Sequence, residues 1–311
     1  MAPLQPPSEP ARTAPRPRNT RPRATLAAIA LLAALWPGPS RLLSADLPPV
    51  ARPNPYHATT SRAARDSAIQ GIPVEKLDAK SRAKVASVLS NVTVFRRMPL
   101  SVVNCDPDLY LFMVRHPDVV VNIWEVLKIS RLKLRQIGPD TYQVTDSAGT
   151  LATVEFLYRS HDTHLIYAEG SYDGPLAARP LKGRCLMVLR TGYVRETDGR
   201  YYITSRLDTF MGVEPGAVEL LTKTFHPLVG GVADNNFLQS VAFLGSLSRT
   251  AELNTRGVQL LATKLAYVQP AFRQRLAELA AEIARKHPAS SAPKSANPPR
   301  VAARTDAEPN R

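Results

Sequence analysis

His161-Asp162-Thr163-His164 sets two imidazoles three residues apart around a carboxylate. Such side chains can hold a metal ion or move a proton. No third ligand accompanies them, and Asp among polar neighbours is what tight turns select. The stretch is therefore expected to be a solvated hairpin turn. His116 and His226 each precede a proline. His116 reads as structural, and His226 can line a pocket end. Ser101, Ser205, Ser240 and Ser246 lack the G-x-S-x-G frame of a nucleophile elbow. No Gly-rich phosphate loop occurs. Cys105 and Cys185 form no C-x-x-C or Cys/His cluster, so neither a structural zinc nor another cofactor is expected. In an exported chain the two thiols permit one disulfide; otherwise they are buried and free.

Two further charges gain interest from the elements that carry them. Val94–Val213 reads as strands joined by tight turns, and alternation assigns their faces. Around the His161-Asp162 turn, Val154, Phe156 and Tyr158 fall on one face with Leu165, Tyr167 and Glu169. Around Asp198-Gly199, the strongest hairpin signal here, Leu186, Val188, Arg190 and Val194 share a face with Ile203, Leu207 and Thr209. These more apolar faces are expected to point inward. Glu169 and Arg190 would then be inward charges. They must pair, anchor a polar ligand group, or reach water at strand ends.

Residues 46–72 lack periodicity and read as a disordered linker. Pro73–Leu89 fits an amphipathic helix with Val74, Leu77, Val85 and Leu89 near one face. Asn91–Asn104 is a first strand with Pro99 at an edge or bulge. Asp106-Pro107-Asp108 starts a short helix, and a second spans Val119–Lys128. Six strands follow. Ala217–Phe225 reads as one helical segment, broken by Pro227 and Gly230-Gly231. Asp234 would cap the next, Asn235–Leu247, and Phe272–Lys286 forms a separate amphipathic helix. Residues 287–311 are Pro-rich, polar and expected to be disordered.

The 311-residue chain carries 40 Lys and Arg against 26 Asp and Glu, a net charge of +14. Leu26–Trp36 is apolar, Pro37-Gly38-Pro39 ends it, and Ser44-Ala45 offers a small-residue cleavage site. That pattern reads as an export signal over residues 1–45, with an uncleaved anchor as the alternative. Eleven apolar residues are too few to span a bilayer, which needs about 20. A basic chain favours anionic partners such as a membrane or cell-wall surface, or its Lys and Arg simply solvate it. Nucleic acid is not an expected partner.

The order strand, two short helices, six antiparallel strands, long helix resembles the helix-grip architecture of START-like and polyketide-cyclase proteins. NCDPDLYLFMVRHPDVVVNIWEVL, VEFLYRS, HLIYAEGSY, CLMVLRTGYV, RYYITSRLDTF and the stretch after EPGAVELL carry the resemblance. It implies an α+β domain over residues 73–286, a curved antiparallel sheet of about seven strands gripping a long C-terminal helix. It also implies an apolar small molecule or lipid held between sheet and helix. Glu169, Arg190, Phe156, Tyr158, Tyr167 and Leu207 are the expected ligand contacts, and no catalytic residue is assigned. Phe156, Tyr158, Tyr167, Val188, Ile203 and Leu207 are all expected to face the helix. A cyclase-, dehydratase- or hydrolase-like enzyme using Glu169 and Arg190, and a basic cell-envelope protein without a ligand, are the alternatives.

Overall fold

Ser61 caps the first helix: its hydroxyl accepts the N–H of Ala64 at 3.3 Å, and α1 runs Arg62–Gln70. Thr59 forms a β-bridge with Arg97. The linker expected over residues 46–72 is thus packed from Thr59 onward. Its buried face consists of Ala64 and Ala68, too slight a pattern to stand out in sequence. The computed structural model describes residues 56–174, 180–213 and 226–287. The expected signal, the Ala217–Phe225 segment and the tail from 288 lie outside the described residues.

The expected helix from Pro73 is divided. A 3₁₀ turn spans Val74–Lys76, and the Asp78 carboxylate accepts the Ser81 N–H at 2.7 Å to open α2 (Ala79–Leu89). Pro99 splits the first strand into β1 (Val94–Arg97) and β2 (Ser101–Asn104). Asp106 caps α3 (Pro107–Arg115), and α4 (Pro117–Val126) restarts directly after His116. Then come β3 (Lys133–Gln136), β4 (Thr141–Thr145), β5 (Thr150–Arg159), β6 (Thr163–Tyr172), β7 (Leu181–Arg195) and β8 (Tyr201–Val213). Gly199, at φ +82°, makes the β7–β8 turn possible.

All strand pairs are antiparallel, in the order β1-β8-β7-β6-β5-β4-β3, with β2 also on β8. The eight strands and the helices around them have the expected helix-grip element order. The C-terminal helix differs from expectation. Helix α5 (His226–Leu253) runs through Pro227 and Gly230-Gly231 without a break. Asp234 is not a cap; its carboxylate grips the Arg96 guanidinium. Helices α6 (Thr255–Thr263) and α7 (Pro270–Lys286) then pack back on α5.

Both faces of the sheet are covered. On the inner face Val154, Phe156, Ile166, Met187, Ile203 and Leu207 join α3, α4, α5 and α7 in the main core. On the outer face Leu165, Tyr167, Leu186, Val188 and Phe210 pack beneath α1 and α2. This corrects the assignment of strand faces. Phe156, Ile203 and Leu207 lie on the inner face as expected, whereas Tyr158, Tyr167 and Val188 lie on the outer one. Two causes are visible. A register shift between Phe156 and Tyr158 reverses the alternation of β5. Leu165–Ala168 and Cys185–Val188 are buried at every position, so strands covered on both sides carry no alternation to read.

Candidate functional site

Phe156 and Leu207 line a cavity of about 140 Å³ between the inner face and the helices. Helices α3 and α4 contribute Tyr110, Met113, Val120 and Trp124; β6 and β7 add Ile166, Met187 and Leu189. Helix α5 closes it with Phe237, Ser240, Val241 and Leu244. The lining polar groups are few. Ser240 gives its hydroxyl proton to the Asn236 carbonyl (2.7 Å), and Tyr110 shares a 2.5 Å hydrogen bond with Ser205. Burial pushes the Tyr110 phenol up to about 12, so it stays neutral.

Pro117 also lines the cavity, and on either side of it lies a polar cluster. The Arg159 guanidinium sits 3.9 Å over the Phe156 ring and 3.0 Å from the Asp140 carboxylate. His164 meets the same ring edge-on at 6.3 Å, and Tyr142 approaches it at 6.0 Å. Asp118 and His164 are each 1% exposed. Among the described residues, neither Asp118 oxygen and neither His164 ring nitrogen has a hydrogen-bond partner. Burial raises the Asp118 carboxyl to about 6, although the N–H groups of Asp118 and Val119 in the first turn of α4 offset part of that cost. Burial, with Arg115 and Arg159 nearby, lowers His164 to about 4. His116, stacked on Phe272 at 3.9 Å, is lowered to about 4 by burial and the same two guanidiniums.

His164 therefore sits in no solvated turn, contrary to the sequence reading; it belongs to β6 and faces the core. No three His, Cys, Asp or Glu side chains converge to hold a metal among the described residues. The buried histidine was hard to foresee, because its neighbours His161 and Asp162 are exposed and polar.

Four of the six expected ligand residues lie elsewhere. Tyr158 accepts a hydrogen bond from Lys76 on the outer face (3.4 Å). Tyr167 donates to Glu169 (2.7 Å), and Glu169 is exposed opposite Arg184. Arg190 donates to Asp208 (3.1 Å) and to the Ala68 carbonyl (3.4 Å). Glu169 and Arg190 are on the face away from the cavity, so they cannot serve there as an acid/base pair. Glu169 instead lines an open groove of about 560 Å³ with Lys182 and Arg184. Cys105 and Cys185 are free and buried, with no disulfide between them. Cys105 lies against the Leu244 carbonyl, at 3.6 Å, and Cys185 packs within β7 opposite Ala168 and Met211.

No protein-family model and no curated protein matches the chain. Among solved structures, a conserved protein from Geobacillus kaustophilus is similar at 12% identity and a TM-score of 0.31, covering 59% of this chain and 93% of its own. Truncated norcoclaurine synthase from Thalictrum flavum is similar at 16% identity and a TM-score of 0.28, covering 47% and 94%. Ara h 8.0201 follows at 13% and 0.26, covering 47% and 99%. Likeness at these scores assigns no function.

Proposed function

We propose that this protein binds a small, largely apolar molecule between the inner face of the sheet and α5, and that it does so outside the cytoplasm. The observation that supports binding is the void itself. Native cores hold few spaces larger than a water molecule. At about 24 cal/mol per Å³, an empty cavity of 140 Å³ costs on the order of 3 kcal/mol. A bound apolar group would recover that cost. The lining is largely apolar and drawn from the sheet and from α3, α4 and α5, which is how ligand sites are usually built. The volume suits an aromatic ring or a short chain rather than a whole lipid. Support for export is the sequence pattern Leu26–Ala45 alone.

Indole, a ring of suitable size, should raise the Tm of the full chain in proportion to the logarithm of its concentration. Val241→Phe, which projects a ring into the cavity, should keep or raise the Tm while abolishing the indole effect. Organic extraction of the purified protein with mass spectrometry would show whether a natural occupant travels with it. No indole shift and no extracted species would sink the proposal. Finding residues 1–45 intact on protein recovered from the cytoplasm would end the export reading separately.

A further inference from the structure

Fourteen buried side-chain polar atoms have no hydrogen-bond partner among the described residues, and eight of them belong to Arg115, His116, Asp118, Arg159 and His164. Buried polar atoms are rarely left unpaired, and each unpaired one costs roughly 1–3 kcal/mol. Such a concentration beside an apolar cavity marks a place built for a polar group that the described residues do not supply.

We propose that this cluster is the subsite for the carboxylate of an amphiphilic acid whose apolar body occupies the cavity behind Phe156. The inference rests on the apolar-cavity reading and adds the head group. Three observations carry it. The cluster adjoins the cavity, since Pro117 lies between His116 and Asp118 and lines the void, while Phe156 forms a wall common to both. The exposed ends of the cluster, Arg115, His116 and Arg159, are half-buried, so the head group would lie at its mouth and the tail within. A cation is within reach of an anion. Arg159 faces Asp118, which burial raises to about 6, and Asp140, whose side chain is 54% exposed at the rim and can yield to a ligand, while Arg115 adds its charge beside His116 and His164.

The recognition chemistry follows from the unpaired atoms. Arg159 has an unpaired Nε–H, and its Nη2 faces the half-exposed Asp140 carboxylate at 3.0 Å; a ligand carboxylate that displaced Asp140 would meet both nitrogens as a fork. His164, neutral, adds one N–H from whichever ring nitrogen carries the proton, and Asp118 in its protonated form adds an O–H. A phosphate monoester fits less well, because its second charge would face Asp118 at close range. A metal ion is excluded as occupant because no three suitable ligands converge among the described residues.

Phenylbutyrate and phenylbutanol share an apolar body and differ in the head group. Titrated calorimetrically into the full chain at neutral pH, the acid should bind about tenfold tighter or more, as a charge-assisted hydrogen bond supplies. Arg159→Gln should abolish the preference, so that the acid and the alcohol bind the variant with equal affinity. Asp140→Asn, which removes a rim competitor for Arg159, should tighten the acid only. Equal binding of acid and alcohol by the native protein would overturn the head-group subsite while the apolar cavity stands. A preference for the acid that survives Arg159→Gln would also overturn it. If neither compound binds, the cavity reading fails and this inference with it.

Discussion

Asp118 and His164 should give the protein two opposite pH dependences of stability that conceal each other. A carboxyl raised from 3.8 to about 6 on folding contributes stability that is complete below 3.8 and lost as the pH rises through 6. An imidazole lowered from 6.5 to about 4 does the reverse: its contribution is complete above 6.5 and lost as the pH falls through 4. Each difference corresponds to about 3 kcal/mol. Both side chains are almost completely buried, so solvent screening takes little from either figure. Arg159 from β5 acts on both groups; Arg115 from α3 and His161 lower His164 further while Asp162 opposes them, and Tyr142 from β4 lies close enough to feel the Asp118 charge. In the native protein the two effects run through nearly the same window with opposite sign, and their sum is small.

Single substitutions should separate them. Relative to the native protein, Asp118→Asn should gain about 3 kcal/mol between about pH 4 and pH 8, because the variant no longer carries a buried charge at the upper end. His164→Gln should lose a similar amount over the same interval, again relative to the native chain. Urea unfolding at a series of pH values, followed by far-UV circular dichroism, measures both differences directly. Taking differences between proteins removes every titration they share. A difference for Asp118→Asn that stays constant from pH 4 to pH 8 would refute the claim that burial dominates this site. So would slopes of the same sign for the two variants.

Cys105 and Cys185, whose thiols burial pushes up to about 12, should resist alkylation in the native state and take two labels in concentrated guanidinium chloride. Their mobility on gels should be the same with and without reductant. Asp208, fully buried, accepts from Arg97 at 2.6 and 3.0 Å and from Arg190 at 3.1 Å, so Asp208→Ala should cost about 3 kcal/mol in urea unfolding and loosen α1. In Gly170→Ala the new Cβ would lie 2.4 Å from the Ala152 Cβ and 2.5 Å from the Leu151 carbonyl oxygen. The Tm should fall by an amount equivalent to roughly 1–3 kcal/mol; an unchanged Tm would mean β5 and β6 can separate there without cost.

Local signals stated element type well and element role poorly. Asp106-Pro107 announces α3 because the cap chemistry lies within four residues, and the Asp106 carboxylate does accept the N–H groups of Asp108 and Leu109. Asp198-Gly199 announces a hairpin for the same reason. Asp234 shows the limit of such signals. The residue type is that of a cap, yet its carboxylate is used 138 positions away in sequence, against Arg96. Helix α1 shows the converse limit, since a face of two alanines buries little and is invisible to a hydrophobic pattern, although it covers part of a sheet.

The site was half legible for a physical reason specific to the centre of this sheet. Alternation distinguishes faces only where one of them meets water. At Leu165–Ala168 and Cys185–Val188 neither face does, because α1 and α2 cover the side opposite α5. Phe156 and Leu207 came out on the cavity side, while Tyr167 and Val188 could as well be placed on either face. The same double covering explains where the charges went. Arg190 and Asp208, on the outer face, are satisfied by Arg97 and by the end of α1, and they serve the union of two layers. Most of the buried polar atoms left unpaired among the described residues lie around Pro117 and the β5–β6 hairpin, where α4 begins and Phe272 of α7 packs on His116. Polar groups that the fold satisfies hold the layers together, and those it leaves unpaired beside the cavity are the ones available to a ligand.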